Sequence, residues 1–543
     1  MSVALAFESY TDGDTVVLRA SSGTNCASST LDHLLEFLQF TGKHVFRFAF
    51  ELDEFIAPVL RRLPVSSLQE LVDRKETTFG KFRIYYLPGK LFQVGPVGQP
   101  FGTRYYGIKR FLNIVGILPT PPLAQVQETG QDILDTIEAI GLGEPKRLTT
   151  AGAMFTSTDI GSELMLSIPT TNDYPPGLLE DIVEMSVLAD NKYWVSAYQV
   201  GCWVSGLFDY DLTSCFSSIA AGLLDTRDME FWRSSSIGSR EQGAYYGLVQ
   251  GRFYLDPDSE YRHASPIMVD LPNRLVGQAY GWLPEDVYTL DEIRTVERYD
   301  LGSFIQTGQG IFAKVLNGVR PRYPFREAMR WLYEKRRWSE MSSTICKTAA
   351  NAVVGKLVEK ERDDGSVPEY RNQFYHALIT AQTRCAITKF LVENEVREDE
   401  LVTVQTDGVR LIRDVPLRTN RMGSWRNNGE YPCIIVSGHK VYTGDKRPYK
   451  ITFDDIVEMV CEHPYVERYS KKGWHRTTIQ DAIETGDVSK VGELVNLPTY
   501  FDLIGLDREQ TRVFPKVPKN GMELLNGRFG SDPIILDGGI LIE

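Results

Sequence analysis

LFDYDLTSCFSSIAAGLL, residues 207–224, runs along an apolar strand to Asp211, turns sharply through small polar residues and enters a helix. A carboxylate at a strand end, beside a main-chain carbonyl such as that of Leu212, can hold a divalent cation, and Phe216 presents a flat ring five residues on. Further along, KTAANAVVGKL (347–357) repeats Lys347, Asn351 and Gly355 every four residues, which puts them on one face of a helix. Lys and Asn there can grip a triphosphate, while the bare Gly355 lets a nucleobase approach the backbone. VTVQTDGVRLI (402–412) is a pair of β-rich runs joined through Thr406, Asp407 and Gly408. Its Asp-Gly step favours a tight hairpin turn that can bring Asp407 to a metal already held by Asp211. SGHKVYTG (437–444) sets Lys440 and Tyr442 on one face of a strand, suited to a phosphate backbone or a terminal base pair. Each motif alone also reads as an ordinary surface helix, turn or edge strand. Four such signals in series, at 211, 347, 407 and 440, coincide by chance far more rarely than any one of them.

The rest of the chain bounds the reading. At about 150 residues per domain, 543 residues predict three or four domains. With 42% hydrophobic and 24% charged residues, disordered, collagen-like and coiled-coil classes are excluded. No apolar run reaches membrane-spanning length, and the opening MSVALAFESY lacks the basic start and long apolar core of a secretory signal. The expectation is a soluble, cytoplasmic protein with no membrane partner. Seven scattered cysteines without a C-x-x-C pair argue against a disulfide framework or a zinc ribbon. Net charge is −13, yet Lys314 to Lys360 carries eleven Lys/Arg against four Glu. A basic island on an acidic body points to one focused polyanion site, the alternative being a solvated basic helix face.

Near the N-terminus, strand-type stretches (Val3 to Phe7, Thr15 to Leu18, His44 to Phe48, Lys81 to Leu87) alternate with amphipathic stretches, STLDHLLEFLQFTG and LDEFIAPVLRRL among them. LPTPPLAQ (118–125) and PTTNDYPPG (169–177) are the linker candidates. Helices are expected through REAMRWLYEKRRW, through Lys347 to Leu357 and through HALITAQTRCAITKFLVEN, followed by a strand, turn, strand unit at 401–413.

This ordered series resembles the family B DNA polymerases. Their first metal motif, D-x-x-S-L-Y-P-S, is matched by Asp211, Ser214 and Phe216; their fingers motif, K-x3-N-S-x-Y-G, by Lys347, Asn351 and Gly355. The D-T-D-S motif is matched by Thr406 and Asp407, and K-x-Y by Lys440 and Tyr442. AYQVG, with Tyr198 and Gly201, looks like the Y-x-G-G element of the protein-primed branch. Departures are Gln405 for the first Asp of D-T-D-S, Gly408 for its Ser, and Val354 for the fingers Tyr.

The resemblance implies an α+β multidomain chain. It would comprise a ribonuclease-H-like exonuclease-type domain (1–150), a connector (151–197), palm (198–320 and 376–448) around fingers (321–375), and a small thumb and C-terminal region (449–543). It implies dNTP addition to a primer 3′ end or a protein primer, with Asp211 and Asp407 as catalytic residues. Two Mg²⁺ ions, replaceable by Mn²⁺, would be held by Asp211, Leu212 and Asp407. Leu212, Ser214, Cys215, Phe216, Arg336, Lys347 and Asn351 would line the nucleotide, with Phe216 packing under its sugar and favouring dNTPs. Tyr198, Gly201, Gly355, Thr406, Lys440 and Tyr442 would meet primer-template DNA. Arg326, Arg330, Lys335, Arg336 and Arg337 would form the first fingers helix beside Lys347, with Trp331 and Trp338 as core packing. Phage, plasmid or mobile-element replication is the implied setting. A terminal protein or other replication factors are the partners to test, although the insertions that would hold a terminal protein are absent or short.

The exonuclease of the family needs four carboxylates, starting from D-x-E. In ALAFES, Ala6 takes the Asp position and only Glu8 remains; Asp53 fits the second motif, with Ala49 for its usual Asn, and Asp132 or Asp135 would supply the last carboxylate. Without an Asp at residue 6 two metals cannot both be held at the scissile phosphate, so Glu8, Asp53 and Asp132 read as vestigial in a domain that keeps its fold. The rival expectation is a catalytically altered or inactive polymerase-like protein that binds DNA or adds nucleotides without a template.

Overall fold

A computed structural model of the chain describes residues 3–39, 45–99, 102–109, 120–141, 167–190, 192–271, 275–359, 368, 370–417, 421–431, 434–437, 440–443, 451–464, 468–502, 511–516, 518–537 and 540–541. They form a mixed α and β, multidomain molecule.

The alternating N-terminal stretches make an eight-stranded sheet. Val3–Asp12 lies inside it, followed on one side by antiparallel Thr15–Ala20 and Asn25–Ser28. On the other side Val45–Ala49 and Thr103–Gly107 run parallel, and Leu91–Pro96, Phe82–Leu87 and Glu76–Phe79 continue antiparallel. Both faces are covered, so the central strand is apolar on both: Phe7 packs with Leu34, Leu35 and Ile56 of helices Leu31–Leu38 and Leu52–Leu60. Ala4 and Ala6 pack under helix Leu123–Ala139 with Ile133 and Ile137. That helix comes so close that a Cβ on Gly130 would meet the Phe48 ring at 2.5 Å, and Gln131 Oε1 accepts from Ala4 N at 3.0 Å.

Neither linker candidate hangs free where it is described. Pro122 opens the Leu123–Ala139 helix. Around the second, the buried Tyr174 hydroxyl donates to Asn372 Oδ1 (2.7 Å), and Asn372 Nδ2 donates to the Pro169 carbonyl (2.9 Å). Asn372 is also the N-cap of Gln373–Glu393, accepting from Tyr375 N at 3.3 Å. This long helix is buried on most sides, so it shows no single apolar stripe. Its first half joins the main core and its second half, through Ile387, Phe390 and Leu391, joins the core under the strands that carry the site.

Those strands form a five-stranded antiparallel sheet, Trp425–Glu430, Phe208–Leu212, Gly408–Leu411, Leu401–Gln405 and Val195–Ala197. A four-stranded sheet adjoins it: Lys440–Tyr442, Ile434–Ser437, Gln199–Trp203 and Arg528–Gly530. Further along the chain, a seven-stranded sheet with its own core is built around Tyr246–Leu255 and Gly302–Val315. C-terminal residues are shared out among these units. Arg468–Arg476 and Leu494–Asp502 form an antiparallel ribbon, while Ile479, Ala482 and Val491 between them enter the N-terminal core. Arg476 pairs with Glu51 (2.7 Å) and Glu54 (3.0 Å). Ile534–Asp537 runs parallel to Ala279–Trp282 in the seven-stranded sheet.

Candidate active site

Asp211 ends one strand and Asp407 sits in the turn of the neighbouring hairpin, and register brings them together. Asp211 faces Gly408 across the antiparallel pair, and Leu212 N donates to the Asp407 carbonyl at 2.9 Å. The hairpin differs from the expected Asp-Gly turn by one residue. Its loop is Thr406-Asp407, closed by the Gln405–Gly408 pair, and Asp407 N donates to the Gln405 carbonyl at 2.7 Å. The left-handed conformation therefore falls on Thr406 (φ +59°), a β-branched residue, at a cost of about 1–3 kcal/mol. Gly408 serves close approach: a Cβ there would lie 3.0 Å from the Tyr210 carbonyl.

Just past Asp211, Ser214 (φ +52°) is also left-handed and precedes helix Cys215–Gly222. Its hydroxyl is not used as a cap and instead accepts from Arg336 Nη1 at 2.6 Å. Arg336 lies one residue past helix Arg326–Lys335, which packs against both Cys215–Gly222 and Glu340–Lys356. The second of these helices is capped by Ser339, whose Oγ accepts from Ser342 N at 3.0 Å. It buries Ile345, Cys346, Ala349, Ala350, Val353 and Val354, which leaves Lys347, Asn351 and Gly355 exposed on the opposite face, as their four-residue spacing predicts. The space beside Gly355 is open.

Electrostatics tie the elements together. Burial, and then the charge of Asp211, push the Asp407 carboxyl above the usual carboxylate range, while Lys347 pulls the other way. Lys347 is thus within electrostatic reach of the aspartate pair. Burial holds Arg336 below its ordinary value, with repulsion from Arg426 adding to the fall and Asp211 opposing it. The Cys215 thiol is pushed up to about 12, by burial first and then by the two aspartates.

Two carboxylates and a main-chain carbonyl are hard oxygen donors, a set that suits Mg²⁺, which binds through one or two carboxylates and completes its shell with water and substrate phosphates. The repulsion that raises Asp407 is the kind a cation between the two groups relieves, so the residues fit such an ion. Among the described residues no group of three or more His, Cys, Asp or Glu side chains could hold a metal.

Several expected site residues are placed otherwise. Tyr198 is buried, its hydroxyl donating to Gln278 Oε1 (2.5 Å) and the His263 carbonyl (2.9 Å), with Arg512 over its ring; it braces the surrounding strands and leaves no exposed surface. Gly201 is buried where the Arg528–Gly530 strand comes so near that a Cβ would lie 2.2 Å from the Gly527 carbonyl. The Cys215 side chain points inward, 3.4 Å from Thr383 Oγ1. Phe216 is half-buried and meets the Tyr193 ring edge-on. Trp331 packs against the main core, but Trp338 is 57% exposed under Lys335, because the helix ends before its position turns inward. Lys440–Tyr442 is a strand, as expected, and the side chains of Lys440 and Tyr442 lie outside the described residues.

In the N-terminal sheet, Ala6 is fully buried in the apolar core. Glu8 pairs with Arg19 at 3.5 Å. Asp53 Oδ1 accepts from the Tyr86 hydroxyl and from Gly89 N, both at 2.6 Å. Asp132 and Asp135 are exposed on the Leu123–Ala139 helix.

Sequence reading missed Arg426. It lies directly across from Asp211 in the Trp425–Glu430 strand and donates through Nε to Oδ1 (3.1 Å) and through Nη2 to Oδ2 (2.8 Å). It also missed Asp209, which pairs with Arg410 at 3.1 Å while Arg410 Nη1 donates to Gln405 Oε1 at 2.8 Å. Two-residue alternation along the strand would have found Asp209; nothing local announces Arg426.

No protein-family model matches the sequence, and no curated protein matches it. Among solved structures the chain is similar to phi29 DNA polymerase. The orthorhombic crystal form aligns at 12% identity and TM-score 0.56 over 93% of this chain and 100% of that one. The ternary complex with primer-template DNA and incoming nucleotide aligns at 12% and 0.55, covering 92% and 99%. The complex with single-stranded DNA aligns at 10% and 0.55, covering 93% and 100%. The likeness runs the length of both chains, and the fold is that of phi29 DNA polymerase.

Proposed function

We propose that this protein is a DNA-directed DNA polymerase of the family B type, adding dNTPs to a primer 3′ end. The observation that carries the reading is the convergence of Asp211 and Asp407 at one strand end, with Lys347 of the neighbouring helix within electrostatic reach. Asp211, Asp407 and the Leu212 carbonyl would hold the divalent cations, which when bound would activate the primer hydroxyl and take up charge on the leaving pyrophosphate. Exposed Lys347 and Asn351 would bind the triphosphate, with Arg336, fixed by Ser214, as a second cation. Phe216 would pack under the deoxyribose and exclude a 2′-hydroxyl. Gly355 would admit the base pair.

The strand order of the N-terminal sheet, three antiparallel strands followed by two parallel additions, supports a ribonuclease-H-like exonuclease domain. Ala6 in its core and the dispersed Glu8, Asp53 and Asp132 support loss of 3′-5′ cleavage. Phage, plasmid or mobile-element replication, with a nucleic-acid or protein primer, is the proposed setting. A second reading, a polymerase-shaped protein that binds DNA without catalysis or adds nucleotides without a template, draws on Gln405 and on Arg426 against Asp211.

The test is Mg²⁺-dependent extension of a labelled primer on templated and untemplated DNA ends, comparing the parent with Asp407→Ala and following shortening without dNTPs. Template-directed extension lost in the variant is expected. Extension by both proteins overturns the catalytic role of Asp407, and extension only on untemplated ends overturns the template-directed reading.

A further inference from the structure

Around the aspartate pair, the charges do not balance as a bare cation site would. Asp211 and Asp407 supply two negative charges; Arg426, Arg336 and Lys347, each in contact with the pair or within electrostatic reach of it, supply three positive ones. Nearby Asp209 adds nothing free, because Arg410 and Asn428 hold it at 3.1 and 2.9 Å. Gln405 stands where a further carboxylate would have restored the balance. Asp211 is moreover engaged through both oxygens by one planar guanidinium, the geometry in which Arg binds a carboxylate best. Arg426 is directly cross-strand and its side chain is 48% exposed, so it can swing into solvent without unpacking the sheet.

We infer that Arg426 is a resident counter-cation that competes with the divalent metal for Asp211, so that metal entry and release of Arg426 are one exchange. This rests on the metal-holding role proposed for Asp211 and Asp407. A site of net charge +1 repels a bare divalent ion and attracts the anionic metal complex of a nucleoside triphosphate. The metal therefore enters with its nucleotide, and the freed guanidinium is left beside the incoming phosphates. Arg426 is a positioning residue in this scheme, acting on the metal through Asp211.

The experiment is Mn²⁺ binding to the free full-length protein, followed by electron paramagnetic resonance without DNA or nucleotide. Parent, Arg426→Gln, Arg426→Lys, Asp211→Asn and the Arg426→Gln/Asp211→Asn pair are compared, with thermal melting as a check on folding. Arg426→Gln is expected to tighten Mn²⁺ binding by up to about fivefold, the most an exposed ion pair commands, and Arg426→Lys by less. In the Asp211→Asn background the same change tightens binding by less, because the competed group is gone and only the general effect of the lost charge remains. Unchanged Mn²⁺ affinity in a folded Arg426→Gln protein overturns the exchange. So does equal tightening in both backgrounds, which marks a general effect of lost charge. If Asp211→Asn leaves parental Mn²⁺ binding intact, the metal-holding role of Asp211 itself fails, and the proposal with it.

Discussion

The N-terminal sheet and the sheet that carries Asp211 both hold carboxylates at positions matching a polymerase motif, yet they treat them in opposite ways. In the first, every such group has a partner or open solvent: Glu8 has Arg19, Asp53 has a tyrosine hydroxyl and a main-chain amide, and Asp132 stands in solvent. In the second, Asp407 is driven up by burial and by Asp211, and two non-glycine residues beside the pair, Ser214 and Thr406, are left-handed. Unfavourable charge and backbone persist only where surrounding structure enforces them, and such strain clusters at functional sites. The contrast supports the proposal that the chemistry belongs to the second sheet.

The contrast breaks most visibly in activity. Asp407→Ala or Asp211→Ala is expected to lower primer extension by about a thousandfold or more, the worth of several kcal/mol of charge stabilisation, whereas Glu8→Gln leaves it unchanged. Equal losses in both regions, measured by single-turnover extension, erase the distinction. Next comes Ala6→Asp. It places an uncompensated carboxylate in a closed apolar core and is expected to destabilise by about 3–5 kcal/mol without conferring primer shortening, as read by urea unfolding and a nuclease assay. Asp53→Ala strips partners from the Tyr86 hydroxyl and Gly89 N and is expected to cost about 1–3 kcal/mol, with extension per folded molecule unchanged.

The smallest effect has the opposite sign. Because the folded-state value of Asp407 is raised, its ionised form weakens folding at pH above that value, and the penalty fades as pH falls into the ordinary carboxylate range. Asp407→Asn is therefore expected to raise the melting temperature in neutral or mildly alkaline buffer without divalent metal, while abolishing extension. The gain disappears on acidification. A melting temperature lowered at every pH would show that the carboxylate is structural, like Asp53.

Much of the site was legible locally. The four-residue spacing of Lys347, Asn351 and Gly355 fixes a shared helical face whatever surrounds it, and the structure exposes that face. Asp211 at a strand end and Asp407 in a two-residue turn follow from hydrophobic alternation broken by turn formers. The burial of the Tyr198 and Cys215 side chains was not legible, because a motif names a residue without saying which way its side chain points, and burial of each is decided by distant partners, Gln278 and Thr383. The C-terminal stretch was harder still, since its residues complete cores begun more than 250 positions earlier.

Periodicity and turn chemistry act over a few residues, so the sequence by itself determined the helices, the strands and the order of the charged motifs. Which strands lie side by side depends on closing loops of hundreds of residues against chain entropy, and the winning arrangement is the one that buries the apolar faces together. Only the tertiary structure could therefore set Arg426 opposite Asp211, 215 residues away, and surround two aspartates with three cations.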